Sequence, residues 1–438
     1  MFDSLQPTAY SLQPAACPED RLLLLLCRGQ VSADQEAEAR ELLLQPAACS
    51  LQPVVSSLQP TAYSLQPDFW SRIFDRAAEQ EVLPLVYRNL RLLGFAGVPE
   101  TARSKFAAAF RSNALRNVLA ARELSRLLAL LADAGIPVIP LKGLALAQRL
   151  YGDIALRSSG DIDLLVPPRH AVAAARVLTA NGYEGSFPLD FFARHLVPAG
   201  IEYCLFKQGA PGCMVELHWR LLRGGASDRS ATDDLWREAR PCTILGAPAY
   251  SLTPDWELLS LSLHAANHGW QGLKWLVDID QICSAQAIDC DAAKAKADGL
   301  GLTPVVEHTL GACHQVFGTA VRKPFAARPL PAGIRLFPAP ASAFSRLRGP
   351  MVHYRLLRGV RQKLRCLAEL CFVPTLAEQH LIPLPPSFSF LYYLVRPLRL
   401  SCKWAWRLLQ AMLSCNRRVE LRLEPKCVRP AALELGVQ

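Results

Sequence analysis

Residues 157–166 read Arg-Ser-Ser-Gly-Asp-Ile-Asp-Leu-Leu-Val. The run predicts a loop through Gly160 that feeds a short buried strand. Side chains on a strand alternate faces, so Asp161 and Asp163 point one way and Ile162 and Leu164 the other. The apolar pair is then expected to meet a core, with both carboxylates turned outward together. Two carboxylates at one strand start suit a hard divalent cation such as Mg2+, which takes oxygen ligands. Two such ions about 3.5–4 Å apart clamp the attacking and leaving oxygens of a phosphoryl transfer. The plainer alternative is that the carboxylates cap the loop or the next helix.

The flanking sequence favours the metal-binding reading. Upstream, residues 135–146 read Gly-Ile-Pro-Val-Ile-Pro-Leu-Lys-Gly-Leu-Ala-Leu. This is an apolar strand-like run that ends in Lys142-Gly143 and continues as a helical pattern to about Tyr151. A glycine at a strand-to-helix turn lets backbone N–H groups approach a phosphate, and a helix N-terminus favours an anion there. Downstream, Cys213 to Trp219 predicts another strand, with Glu216 and His218 on one face. A third carboxylate on a neighbouring strand would complete a metal cluster or act as base towards an acceptor hydroxyl.

The order strand, Lys-Gly, helix, Arg-x-x-Gly-Asp-x-Asp, strand, Glu-Leu-His-Trp resembles the polymerase-β-type nucleotidyltransferase superfamily. Within it, the chain is most similar to the bacterial family known as uncharacterised nucleotidyltransferases. The likeness runs over roughly residues 68–320. It takes in Ser251-Leu252-Thr253-Pro254, His264 to Trp270, and Leu273 to Asp278. The resemblance implies transfer of a nucleoside monophosphate from an NTP to an acceptor, with Mg2+, expected as two ions. It implies Asp161 and Asp163 as metal ligands and Glu216 as the third carboxylate, the three forming the catalytic set. Lys142, Gly143, Arg157 and Ser159 are the residues expected at the nucleotide. Two departures stand out: Leu144 follows Gly143 where superfamily members often carry Ser or a second Gly, and the gap from Gly143 to Asp161 is long. Lys142 and Arg157 are candidate cationic phosphate ligands; the alternative for both is plain surface charge.

The expected fold class is α+β: a nucleotidyltransferase-type mixed sheet domain flanked by N-terminal and C-terminal helical regions. The expected divisions are 1–67, a helical region interrupted by repeats; 68–134, helical; 135–250, the α/β core; 251–320, helical; and 321–438, basic and rich in proline and aromatics. Hydrophobic residues make up 51% of the 438 and charged residues 20%, which excludes a disordered chain. The 14 cysteines include no Cys-x-x-Cys pair, so neither a zinc knuckle nor a disulfide framework is expected. No secretory signal is read at the N-terminus, and the expected location is the cytoplasm. Ser-Leu-Gln-Pro begins at Ser4, Ser11, Ser50, Ser57 and Ser64. A proline in every unit excludes a helix, so the repeats are read as extended insertions without chemistry.

His264 and His268 are four residues apart and share a helix face. No Glu follows His264, so packing or a place at the nucleotide cleft is favoured over zinc. Lys274 and Asp278 are expected to form an exposed ion pair. Charge is uneven: residues 321–430 hold 20 Lys/Arg against 4 Asp/Glu, and the rest of the chain 28 against 34. This asymmetry suggests an anionic surface, nucleic acid or membrane, as partner of the tail. The segment with Phe388, Phe390, Tyr392, Tyr393, Trp404 and Trp406 is too broken by charge to be a transmembrane segment. Packing is expected to explain these aromatics, leaving the arginines available. The acceptor, whether small molecule, protein or RNA, is not chosen by any feature. The rival readings are a catalytically weak or inactive binding or regulatory protein on the same fold, and a toxin-like transferase acting on tRNA.

Overall fold

The computed structural model describes residues 18–44, 67–200, 202–207, 214–221, 226–285, 287–331, 334, 360–403 and 405–406. The Ser-Leu-Gln-Pro repeats lie outside the described residues except for Pro67, the last residue of the final repeat; Trp404 also lies outside them. The structure is α+β, with a mixed five-stranded sheet, a separate hairpin and many helices. The chain divides into two compact units, residues 1–366 and 367–438.

The first unit opens with α1 (Pro18–Leu26) and α2 (Ala33–Leu44), then α3 (Pro67–Glu79), α4 (Leu83–Leu92) and α5 (Glu100–Asp133). Helix α1 starts on proline, whose fixed φ and missing N–H suit a first helical turn, and has Glu19 and Asp20 in that turn. The 34-residue α5 leads to β1 (Ile139–Pro140) and α6 (Gly143–Tyr151). After them come β2 (Asp161–Leu165), α7 (Ala171–Ala180), β3 (Glu184–Gly185), the short helices α8 (Leu189–Phe191) and α9 (Val197–Ala199), β4 (Tyr203–Phe206) and β5 (Met214–His218). Helix α10 (Ala226–Glu238) precedes β6 (Arg240–Ile244) and β7 (Ala247–Ser251). Leu245 and Gly246 join β6 to β7, both with positive φ. That is the two-residue turn whose twist matches a hairpin. Helices α11 (Pro254–Asn267), α12 (Leu273–Ala285), α13 (Cys290–Leu300) and α14 (Thr303–Phe317) follow.

The sheet order is β1-β2-β5-β4-β3. Only β2 and β5 are parallel; the other pairs are antiparallel. The β2–β5 register sets Asp163 opposite Glu216 and Ile162 opposite Val215. One face therefore carries Ile162, Leu164, Val215 and Leu217, all buried. The other carries Asp161, Asp163, Glu216 and His218. On this second face Asp163 is only 3% exposed, whereas Asp161, Glu216 and His218 are half-buried. The expectation that both carboxylates face out together is corrected here, because Lys142 and His218 close over Asp163.

A single hydrophobic cluster runs from Leu22, Leu26, Trp70 and Ile73 through Ile139 and Leu165 to Trp256, Trp270, Leu276 and Phe317. Ion pairs tie the sheet segment to the helices that follow it in the chain. Arg149 on α6 pairs with Glu257 on α11. Arg157 pairs with Asp278 on α12 at 2.9 Å.

In the second unit, Glu378 is fully buried and forms a capping box with Thr375. Arg399 Nε donates to it at 2.5 Å and Arg396 lies 3.4 Å away. Tyr392 is buried, accepting from the Leu384 N–H at 2.8 Å and donating to the Ile382 carbonyl at 3.0 Å. Phe388, Phe390 and Trp406 are more than half exposed. Packing thus accounts for Tyr392, while Phe388, Phe390 and Trp406 stay exposed. A buried carboxylate needs counter-charge, so Arg396 and Arg399 turn towards Glu378.

Candidate active site

Lys142 and Gly143 sit where β1 passes into α6. Gly143 has φ +66°, and a Cβ there would lie 3.0 Å from Ser159 Oγ and 3.6 Å from the Asp161 carbonyl. Only glycine takes that backbone without strain, and the turn brings the α6 N-terminus against the 159–161 loop. Ser159 Oγ donates to the Asp161 carbonyl at 3.2 Å. Lys142, Gly143, Ser159, Asp161 and Asp163 are in this way drawn together by two local turns. The long gap between Gly143 and Asp161 is taken up by α6, its left-handed end at Gly152, and a 3-10 turn at Ile154–Leu156.

Lys142 Nζ lies 3.0 Å from Asp163 Oδ1 and 3.7 Å from Asp161 Oδ2, so one ammonium answers both carboxylates. His218 Nε2 lies 3.2 Å from Asp163 Oδ1 and 3.6 Å from Glu216 Oε2. Burial pushes the Asp163 carboxyl up, but the His218 hydrogen bond and the Lys142 charge outweigh it and hold the group below the usual carboxylate range. Burial likewise presses the His218 imidazole down; its bonds to Asp163 and Glu216 prevail and raise it to about 9. Asp163 Oδ2 is buried and, among the described residues, has no hydrogen-bond partner.

Among the described residues, Asp163, Glu216 and His218 are the side chains whose ligand atoms converge to within 4.8 Å of one another. Asp161 stands beside this set rather than in it. Two carboxylates and an imidazole, with one carboxylate oxygen already stripped of water and of donors, fit a divalent cation. His218 was read from sequence as a neighbour of Glu216; the cross-strand register makes it a member of the cluster.

Arg157 is placed differently from the other expected nucleotide residues. It is 4% exposed, and its Nε reaches Asp278 Oδ1 and Oδ2 at 3.2 and 3.0 Å. Tyr151 Oη donates to the same carboxylate at 2.7 Å. The guanidinium therefore faces inward to a fully buried partner. This pairing also corrects the expected exposed Lys274–Asp278 pair. Lys274 instead pairs with Glu81, because helix α12 turns Asp278 into the core.

Asn113 and Asn117 went unmarked in the sequence. One turn apart on α5, they donate to the carbonyls of Ala155 at 2.9 Å, Ile154 at 2.5 Å and Arg157 at 2.8 Å. Buried amides at i and i+4 in an otherwise apolar helix face were the available signal. His264 and His268 lie 4.6 Å apart, and His268 stacks on Trp275 at 4.4 Å. Burial and then the Lys142 charge hold both imidazoles down. They pack at the edge of the site and not in its convergent ligand set.

Residues 66–318 match the protein family described as uncharacterised nucleotidyltransferase. Neither the comparison with curated proteins nor that with solved structures finds a match.

Proposed function

Because the chain belongs to the uncharacterised nucleotidyltransferase family, we propose that it transfers a nucleoside monophosphate from an NTP to an acceptor at the face built by β2 and β5. The observation that carries this reading is the meeting of Asp163, Glu216 and His218 with Lys142 beside the Gly143 turn. An acceptor oxygen attacks the α-phosphorus, the bond to pyrophosphate breaks, and the acceptor proton passes to a base or to solvent. Asp161, Asp163 and Glu216 are the carboxylates assigned to the metal, expected to be Mg2+. A bound divalent cation supplies Lewis-acid stabilisation of the charge that develops on the phosphate oxygens.

The chain's own residues do the rest. Lys142, shared between two aspartates, is the cation assigned to an incoming triphosphate. Gly143 and Ser159 offer the turn against which phosphate oxygens are held. Arg157 acts at a distance: its pair with Asp278 fixes the loop that carries Ser159 and Asp161.

The test is incubation of the full chain with each α-labelled NTP, divalent cation and a cell extract. Label on RNA, protein or a small molecule, lost in Asp163→Asn, supports the reading and identifies the acceptor class. NTP binding without any transferred label would favour a binding or regulatory protein on the same fold. Label confined to tRNA would favour the toxin-like reading.

A further inference from the structure

We propose that His218 is itself a ligand of the cation held by Asp163 and Glu216, and that it turns the site's preference from Mg2+ towards a first-row transition ion such as Mn2+. The inference rests on the metal-dependent reading above and adds the ligand set and the metal class.

The geometry carries it. His218 Nε2 lies within hydrogen-bonding distance of Asp163 Oδ1 and 3.6 Å from Glu216 Oε2. The three donor atoms share one small volume, on one face of two parallel neighbouring strands. Asp163 is 97% buried, and its Oδ2 has no donor among the described residues. A buried carboxylate oxygen without a partner is costly unless something meets it. A cation bound by Asp163 would offer that carboxylate the charged partner such burial calls for. By contrast Asp161 lies outside the convergent set, with Lys142 Nζ at 3.7 Å.

Ligand chemistry then sets the metal. Mg2+ demands oxygen ligands in near-octahedral array and dehydrates reluctantly. Imidazole nitrogen favours transition ions. A two-carboxylate, one-histidine set therefore discriminates against Mg2+ in a way that an all-carboxylate set does not.

The experiment is spectroscopic and needs no turnover. Mn2+ is titrated into the full chain and free ion is followed by electron paramagnetic resonance; Mg2+ is measured by competition. Bound Mn2+ is then examined by electron spin-echo for nitrogen modulation from a coordinated imidazole. The expected result is nitrogen modulation in the wild-type protein, absent in His218→Gln. The same substitution should lower the Mn2+-over-Mg2+ preference by roughly tenfold or more. Bound Mn2+ that shows no nitrogen modulation in the wild-type chain would overturn the inference while leaving the metal-dependent reading intact. Failure of Mn2+ and Mg2+ alike to bind the wild-type chain would overturn both. The wild-type spectrum decides the matter even where the variant folds poorly.

Discussion

Asp163 has one carboxylate oxygen shared between Lys142 and His218 and the other facing no donor. Its neighbour Asp161 keeps more solvent and lies 3.7 Å from the same ammonium. The two aspartates are therefore expected to differ in what they do for the fold. Replacing either by Asn should abolish nucleotidyl transfer, since each removes a charge that a cation needs. Asp163→Asn should also destabilise the protein, by about 1–3 kcal/mol, because Lys142 and His218 lose a charged buried partner. Asp161→Asn should leave the denaturation midpoint nearly unchanged. Transfer assays and urea unfolding of both variants check this. Wild-type turnover in both would remove the carboxylates from the mechanism.

The loop between α6 and β2 is held from two sides at the level of elements. Asn113 and Asn117 on α5 take its carbonyls, and Asp278 on α12 takes its arginine. Arg157→Gln would strand a carboxylate that is fully buried. Breaking one side of a buried pair costs about 3–5 kcal/mol. The expected outcome is a large fall in stability with no specific loss of NTP binding in the fraction that remains folded. A selective rise in the NTP dissociation constant at unchanged stability would instead make Arg157 a phosphate ligand. The arginine was visible in sequence as a charge close to the aspartates. Its partner lies 121 residues further on and was readable only once α12 was folded against the sheet segment.

For the whole molecule, one apolar cluster joins the helices before the sheet to those after it. Trp70, Trp219, Trp256 and Trp270 are all nearly or fully buried, three of them in that cluster. Residues 18–331 are therefore expected to unfold together. Tryptophan fluorescence and far-ultraviolet circular dichroism should give one coincident denaturant transition; two separated midpoints would show that the helices and sheet fold independently. Acid should weaken this unit in a defined way. Glu123 accepts from Arg126, Tyr183 and Lys207. The Arg126 bond is the chief cause that lowers its carboxyl to about 2. A carboxyl lowered on folding stabilises the protein above its unfolded value, near 4.5, and loses that contribution as pH falls towards the folded one. Wild-type protein should thus exceed Glu123→Gln in stability at pH 6, and the gap should shrink from about pH 5 down to pH 3. A gap that stays constant across that range would exclude the linkage.

Strand period, the Lys142-Gly143 turn and the Asp-x-Asp spacing were legible in the sequence because each depends on residues within a turn or a strand of one another. They sufficed for the α+β class and for Asp161 and Asp163 on one face. The rest came from long-range contacts. The parallel β2–β5 register made His218 a member of the site and left Asp161 at its margin. The packing of α12 took Arg157 away from the surface, and the same packing separated Lys274 from Asp278. Local spacing fixes which way a side chain points from its own element. Which partner it meets there, and whether water reaches it, depends on how distant segments pack, and only the tertiary structure decides that.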